Sequence, residues 1–122
     1  MKSLKQIKIC LREFAAERDW DQFHSPKNLS MALIVEAAEL VEHFQWLSEK
    51  QSKKLPASKL AEVEQEIADI QIYLIRLADK LGIDVEKAVT AKIKLNKKKY
   101  PANRVRGKSA KYDEYDEGDD GG

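Results

Sequence analysis

Glycine is nearly absent from most of this chain. Of the five glycines in 122 residues, three stand among the last five positions, so residues 1–117 contain only Gly82 and Gly107. Tight turns between β-strands need many more glycines and prolines than this. A phosphate-binding loop needs a glycine-rich run, which the chain also lacks. The scarcity therefore excludes an all-β fold and a glycine-rich phosphate loop.

Apolar residues recur at helical spacing in four segments, which predicts an all-α four-helix bundle. Asn28 and Ser30 are both acceptable N-caps for the second predicted helix, and Asp84 is one for the fourth. Gly82 suits a left-handed C-cap for the third helix, and Pro101 stops the fourth. The predicted helices cover about residues 3–18, 28–47, 58–82 and 84–99.

The net charge of +1 is the sum of two unlike regions. Residues 112–122 contain six acidic and no basic residues, which leaves 22 basic against 15 acidic residues in 1–111. We expect one helical domain over residues 1–102, and a basic, then acidic, disordered tail over residues 103–122.

The number of cysteines and the hydropathy of the chain indicate the cellular compartment in which the protein works. Cys10 is the only cysteine, which excludes an intrachain disulfide and a cysteine-built zinc site. No apolar run approaches the roughly 20 residues of a membrane span, and the N-terminus is charged, unlike a signal peptide. We expect a soluble, cytoplasmic protein.

Paired acidic residues mark the second and third predicted helices. Glu36 and Glu39 are spaced i, i+3 beside the core face of one helix, and Glu66 and Asp69 repeat this on the next. Like charges at this spacing repel, so two pairs on neighbouring helices indicate a shared cation. Carboxylate oxygens favour Mg²⁺, with Mn²⁺ possible, and Mg²⁺ commonly takes substrate phosphates as further ligands.

Two other interpretations of these residues stand beside the metal site. The two acidic pairs, which form a stripe along each helix (the acidic stripes), are also compatible with the solvated faces of a glutamate-rich bundle. A di-iron bundle would need Glu-x-x-His on two helices, whereas Glu39 and His43 are spaced i, i+4 and have no counterpart on the third helix. The spacing therefore argues against a di-iron centre.

The acidic motifs resemble those of a known superfamily. Residues 36–40 (EAAEL) and 66–69 (EIAD) are similar to the Glu-x-x-Glu … Glu-x-x-Asp signature of the all-α nucleoside triphosphate pyrophosphohydrolases, the MazG and dimeric dUTPase superfamily. Four further segments resemble its dCTP pyrophosphatase branch, and the similarity extends over about residues 5–112. These segments are 18–24 (RDWDQFH), 44–46 (FQW), 72–74 (IYL) and 96–101 (NKKKYP).

The resemblance implies magnesium-dependent hydrolysis of a nucleoside triphosphate to the monophosphate and pyrophosphate. It implies that Glu36, Glu39, Glu66 and Asp69 hold the metal and form the catalytic centre, with Glu36 or Glu39 accepting a proton. The favoured substrate is dCTP or a modified dCTP, and a broader range of deoxynucleotides is the alternative. The residues expected to bind the substrate are Trp20, His24, Trp46, Tyr73, Lys92, Asn96 and Tyr100.

Partners and rival functions follow from the same features. Members of the family that the chain resembles assemble through helix faces into dimers of dimers, which implies a homotetramer. We expect no membrane partner, because no apolar run is long enough to span a bilayer. The basic run over residues 92–108 would suit a nucleic-acid-binding module, and the amphipathic faces alone would suit a structural adaptor. Neither rival explains the matched acidic stripes.

Overall fold

The computed structural model describes residues 3–107, and this part of the chain is helical without a β-strand. It confirms the all-α fold and the four long helices. Two short helices and one 3₁₀ turn, over Asp21–Phe23, were not predicted. The α-helices are α1 (Leu4–Glu17), α2 (Pro26–Glu42), α3 (Glu49–Ser52), α4 (Ala57–Lys80), α5 (Val85–Lys99) and α6 (Ala102–Val105).

The chain divides into two units between Ile83 and Asp84. In the first unit α2 packs along α4, and α1 also packs against α4. The second unit holds α5 and α6. Of the predicted tail, residues 103–105 belong to α6, and residues 108–122 lie outside the described part of the chain.

The hydrophobic core of the described residues is small. Only five apolar side chains are buried, and large apolar side chains on α2 and α4 stay exposed. A single chain of this size therefore hides little apolar surface. The five are Ala15, Leu29, Val63, Ile75 and Ala78.

The start of α2 corrects the prediction from Asn28 or Ser30. The helix begins at Pro26, and the Ser25 hydroxyl accepts a hydrogen bond from the Asn28 backbone N–H at 3.1 Å. Proline suits the first helical position because its missing N–H would have no partner there, and serine is a favoured N-cap.

The end of α2 also differs from the prediction, which placed it near Leu47. The helix ends at Glu42, and the Phe44 N–H bonds the Val41 carbonyl at 2.9 Å, three residues back. This tighter bonding ends the helix and lets the chain turn into α3, which Ser48 caps.

The turn after α4 confirms the predicted left-handed cap. Gly82 has φ +68°, and its N–H bonds the Asp79 carbonyl at 3.1 Å. The Ile83 N–H bonds the Ala78 carbonyl at 2.8 Å, which completes a Schellman motif. Asp84 then caps α5, as predicted, by accepting from the Lys87 N–H at 3.0 Å.

Replacing Gly82 by alanine should lower the free energy of unfolding by roughly 1 kcal/mol, because a Cβ disfavours positive φ. No atom lies within 4 Å of the added Cβ, so backbone strain is the whole cost. Urea unfolding at fixed protein concentration measures it. Gly82→Asn should cost less, since asparagine tolerates this conformation; an Asn variant as unstable as the Ala variant would contradict the explanation.

Candidate active site

Three carboxylates converge where α2 packs on α4. Glu36 and Glu39 are one turn apart on α2, and Glu66 approaches them from α4. One carboxylate oxygen from each lies within 4.8 Å of the other two, and all three residues are half-buried. The i, i+3 spacing places the first pair on one helix face, and the packing of the two helices supplies the third.

Two oxygens of this cluster lack hydrogen-bond partners. Glu36 Oε2 and Glu66 Oε2 are buried, and neither is bonded to any residue of the described chain. Burial raises the pKa of Glu36 to about 7, assisted by Glu39, Glu66 and the negative charge of Asp69. Buried carboxylate oxygens without partners are the donor set that a hard divalent cation prefers, so the residues present fit such an ion.

Asp69, the fourth predicted ligand, lies outside this group of three. It is exposed on α4, one turn beyond Glu66. Its negative charge nevertheless contributes to raising the pKa of Glu36. The structure therefore gathers three of the four predicted carboxylates and places the fourth at their margin.

His43 adds a ring to the edge of the cluster. It stands at the C-terminus of α2, with Nδ1 3.7 Å from Glu62 Oε2 and Nε2 3.9 Å from Glu66 Oε1. These distances exceed hydrogen-bonding range. Its helical position beside Glu36 was visible in the sequence, but its proximity to Glu66 depends on how α2 packs against α4.

Trp20 belongs to an aromatic group at the end of α1. Its ring meets Phe14 edge-on, with 5.7 Å between the ring centroids, and the Arg18 guanidinium lies 3.7 Å from the centroid of the Phe14 ring. About half of the Trp20 surface remains exposed. The tryptophan is therefore oriented by neighbours and still open to a ligand.

The other two aromatic residues expected to bind substrate lie in different settings. Trp46 falls within the predicted second helix, and this prediction is wrong: the residue lies in the turns after α2, with 86% of its surface exposed. Tyr73 is half-buried on α4, two turns beyond Glu66.

His24 ends the 3₁₀ turn and contacts Arg76, a residue with no predicted role in the site. Arg76 Nη2 donates to Asp21 Oδ1 at 2.9 Å and lies 3.3 Å from His24 Nδ1. The sequence signal was a lone basic residue within the apolar run Ile75–Ala78, since a charge in such a run needs a buried partner.

The remaining predicted substrate residues belong to the second unit. Lys92 and Asn96 are exposed on α5, and Tyr100 is half-buried at its C-cap. Their spacing of four places them along one helix face. Among residues 3–107, no helix combines the length and apolar character that crossing a membrane requires.

Comparisons with protein-family profiles and with known proteins lead to the same protein family. The sequence profile of the MazG-like family matches residues 31–115. The chain is 41% identical over 112 residues to the mouse protein dCTP pyrophosphatase 1, covering 90% of this chain and 66% of that protein. It is 41% identical over 118 residues to the human protein of the same name, covering 95% and 69%.

A solved structure matches as well. A crystal structure of a pyrophosphatase from Archaeoglobus fulgidus DSM 4304 superposes with a TM-score of 0.77 at 39% sequence identity. The match covers 83% of this chain and 94% of that one. The chain thus spans 66% of the length of the mouse relative and nearly the whole of the archaeal one.

The contribution of Glu36 to the thermal stability of the metal-free protein should fall as pH rises from about 4.5 to about 7. The pKa of Glu36 is higher in the folded chain than its ordinary value of 4.5, so the folded state holds the extra proton across this window. Stability gained from that proton is lost as it leaves. Melting temperatures in EDTA at about pH 5 and pH 8 measure the fall.

Glu36→Gln cannot ionise at this position and should show a smaller fall than the wild-type protein. Glu42→Gln, at an exposed position of the same helix, is the matched control and should leave the fall unchanged. Equal falls in Glu36→Gln and in the wild-type protein would refute the assignment.

Proposed function

The chain belongs to the MazG-like family, and from that premise we propose that it is a nucleoside triphosphate pyrophosphohydrolase. It would convert dCTP or a modified dCTP to the monophosphate and pyrophosphate, with a broader deoxynucleotide range as the alternative. The observation that carries the proposal is the half-buried group of Glu36, Glu39 and Glu66, with two oxygens that have no partner among the described residues.

The proposed cofactor is Mg²⁺, with Mn²⁺ as a substitute, held by Glu36, Glu39 and Glu66, and with Asp69 at the margin. A bound divalent cation would supply Lewis-acid stabilisation of phosphate charge and lower the pKa of water. Glu36 or Glu39 would use a carboxylate oxygen to accept the proton of the attacking water. The catalytic residues of the proposal are therefore these four carboxylates.

Side chains would hold the nucleotide, because the described chain has no glycine-rich loop to hold its phosphates with backbone N–H groups. We assign Lys92, Asn96 and Tyr100 to the triphosphate and His24 to the base or sugar. The indole of Trp46 is exposed and free to stack on a base, as is part of Trp20; such stacking contributes about 1–3 kcal/mol. Tyr73 would lie beside the bound base.

The nucleic-acid-binding alternative accounts for the basic residues of α5 and for nothing in the first unit. It leaves the buried carboxylate oxygens of Glu36 and Glu66 without a purpose. A cytoplasmic location remains part of the proposal, in keeping with a nucleotide substrate.

We also propose that the protein is a homo-oligomer, in the form of a dimer of dimers. Large apolar side chains stand exposed on the two helices that carry the carboxylates, and Ile34 has 66% of its surface exposed. Many exposed large apolar side chains on the helices of a small chain are typical of a subunit interface. Exposed examples are Met31, Ile34, Val35 and Val41 on α2, and Leu60, Ile67 and Leu74 on α4.

Incubation with each dNTP and Mg²⁺ should release monophosphate and pyrophosphate in equal amounts, with dCTP or a modified dCTP preferred. Glu39→Ala and Asp69→Ala should lower kcat/KM by at least the roughly 100-fold that loss of a supporting residue of a metal site costs. Glu42→Ala, one turn from Glu39 on the exposed side of α2, is the control and should retain activity.

No turnover of any canonical or modified nucleotide would end the enzymatic proposal. Full turnover by Glu39→Ala and Asp69→Ala would be compatible with the proposed activity but would refute the assignment of these carboxylates to the metal.

Light scattering on the full chain should give the mass of a tetramer. Ile34→Glu should shift the mass to a smaller species, because a buried unpaired charge disfavours the interface. Gln65→Glu adds the same charge at an exposed polar position of α4 and should leave the mass unchanged. A monomeric mass for the wild-type protein would contradict the oligomer.

A further inference from the structure

Arg76 is the one buried polar or charged residue within residues 3–107, with 4% of its surface exposed. The proposed hydrolysis makes no use of it. Burying a guanidinium is costly unless it is paired and hydrogen-bonded. The partners that offset this cost therefore indicate what Arg76 does.

Its Nη2 atom faces two acceptors on the 3₁₀ turn. It donates to Asp21 Oδ1 at 2.9 Å and lies 3.3 Å from His24 Nδ1. A guanidinium has only donors, so the contact with His24 is a hydrogen bond only if Nδ1 carries no proton. A neutral imidazole then has its single proton on Nε2.

The surroundings of His24 favour this neutral ring. Burial lowers its pKa, and the positive charges of Arg76 and then Lys80 act in the same direction, while Asp21 opposes them. A protonated ring would also turn an N–H towards the guanidinium and lose the hydrogen bond. The charge and the geometry thus select the same form of the side chain.

The guanidinium is itself held in place by charges on α4 and α1. Its Nη1 lies 3.7 Å from Asp79 Oδ2, and Asp79 accepts from both Nε and Nη2 of Arg12. Lys80 Nζ donates to the same Asp21 oxygen at 2.6 Å. These ion pairs anchor the turn to α4 and leave Arg76 little freedom to move away from His24.

We infer that Arg76 is a positioning residue that fixes His24 as the Nε2–H tautomer, so that the ring offers an N–H donor to an acceptor atom of the bound nucleotide. The identity of the ligand rests on the proposed function. The tautomer rests on the contacts of Arg76 alone.

Long-range ¹H–¹⁵N NMR of ¹⁵N-histidine-labelled full-length protein tests the tautomer directly. The chain has two histidines, so His43→Gln leaves one set of ring signals, that of His24. We expect a protonated Nε2 and a non-protonated Nδ1 at neutral pH, with widely separated ¹⁵N shifts. In Arg76→Met the two shifts should move towards each other as the ring samples both tautomers and the charged form.

A wild-type ring protonated at Nδ1, or shifts unchanged by Arg76→Met, would overturn the inference. Arg76→Gln serves if Arg76→Met does not fold: its neutral amide stays polar but is two bonds shorter than the guanidinium, so it cannot hold His24 Nδ1 as Nη2 does, and it should move the shifts in the same direction. Lys59→Met is the matched control: it removes a basic side chain of the same helix that pairs with Glu62 and does not act on His24, and the shifts should stay.

Kinetics tests the use of the N–H donor. Arg76→Met and His24→Asn should raise KM by roughly fivefold, the effect of one lost hydrogen bond, with little change in kcat. His24→Gln should retain a KM near the wild-type value, because its amide nitrogen reaches the place of Nε2. If His24→Gln is as impaired as His24→Asn, the donor role is wrong.

The two kinds of measurement separate this inference from the proposed function. If no nucleotide is hydrolysed but the shifts respond to Arg76→Met, the proposed function fails and the positioning by Arg76 stands. If nucleotides are hydrolysed and the shifts do not respond, the enzyme stands and this inference fails.

Discussion

The packing of α2 against α4 is the contact on which the rest of the first unit depends. It brings Glu36 and Glu39 of one helix to Glu66 of the other and removes part of the water that would otherwise solvate them. Like charges at this distance and burial destabilise the ionised cluster, which the raised pKa of Glu36 records. A helix pair that gathered these side chains without a compensating cation would lose stability, so the arrangement makes physical sense as a site for a hard metal ion.

The second charged group of the first unit, around Arg76, differs from the carboxylate cluster because its charges are paired with opposite charges. Arg76 is more deeply buried than any of the three carboxylates, yet it faces Asp21 and Asp79, and Arg12 holds Asp79 from α1. Hydrogen bonds from Lys80 and Arg76 lower the pKa of Asp21, and hydrogen bonds from Arg12 lower the pKa of Asp79. The first unit, which holds α1 to α4, thus contains two kinds of charge cluster. In one, opposite charges are paired and hold side chains in position; in the other, the carboxylates have no opposite charge and suit a ligand.

Because the hydrophobic core is small, the exposed apolar faces of α2 and α4 become important for stability. Few apolar side chains are buried within the described chain. The two helices that carry the carboxylates, α2 and α4, also carry exposed isoleucine, leucine and valine side chains. Association through these faces would bury apolar surface and also stiffen the helices that position the acidic side chains. Stability of the subunit and precision of the site would then come from the same contacts.

The sequence by itself determined the four long helices, because their signals are local. Apolar spacing, the Asp84 cap and the left-handed Gly82 lie within a turn of the residues they control, and each is present as expected, whereas the N-cap of α2 is Ser25 instead of Asn28 or Ser30. It also paired the acidic stripes, since i, i+3 spacing is a property of one helix. Tertiary structure alone decided that Glu66 joins Glu36 and Glu39 while Asp69 stays at the margin, and that Arg76 is buried against the 3₁₀ turn. Those outcomes depend on contacts between residues distant in the chain, and no local pattern specifies the position at which two helices meet.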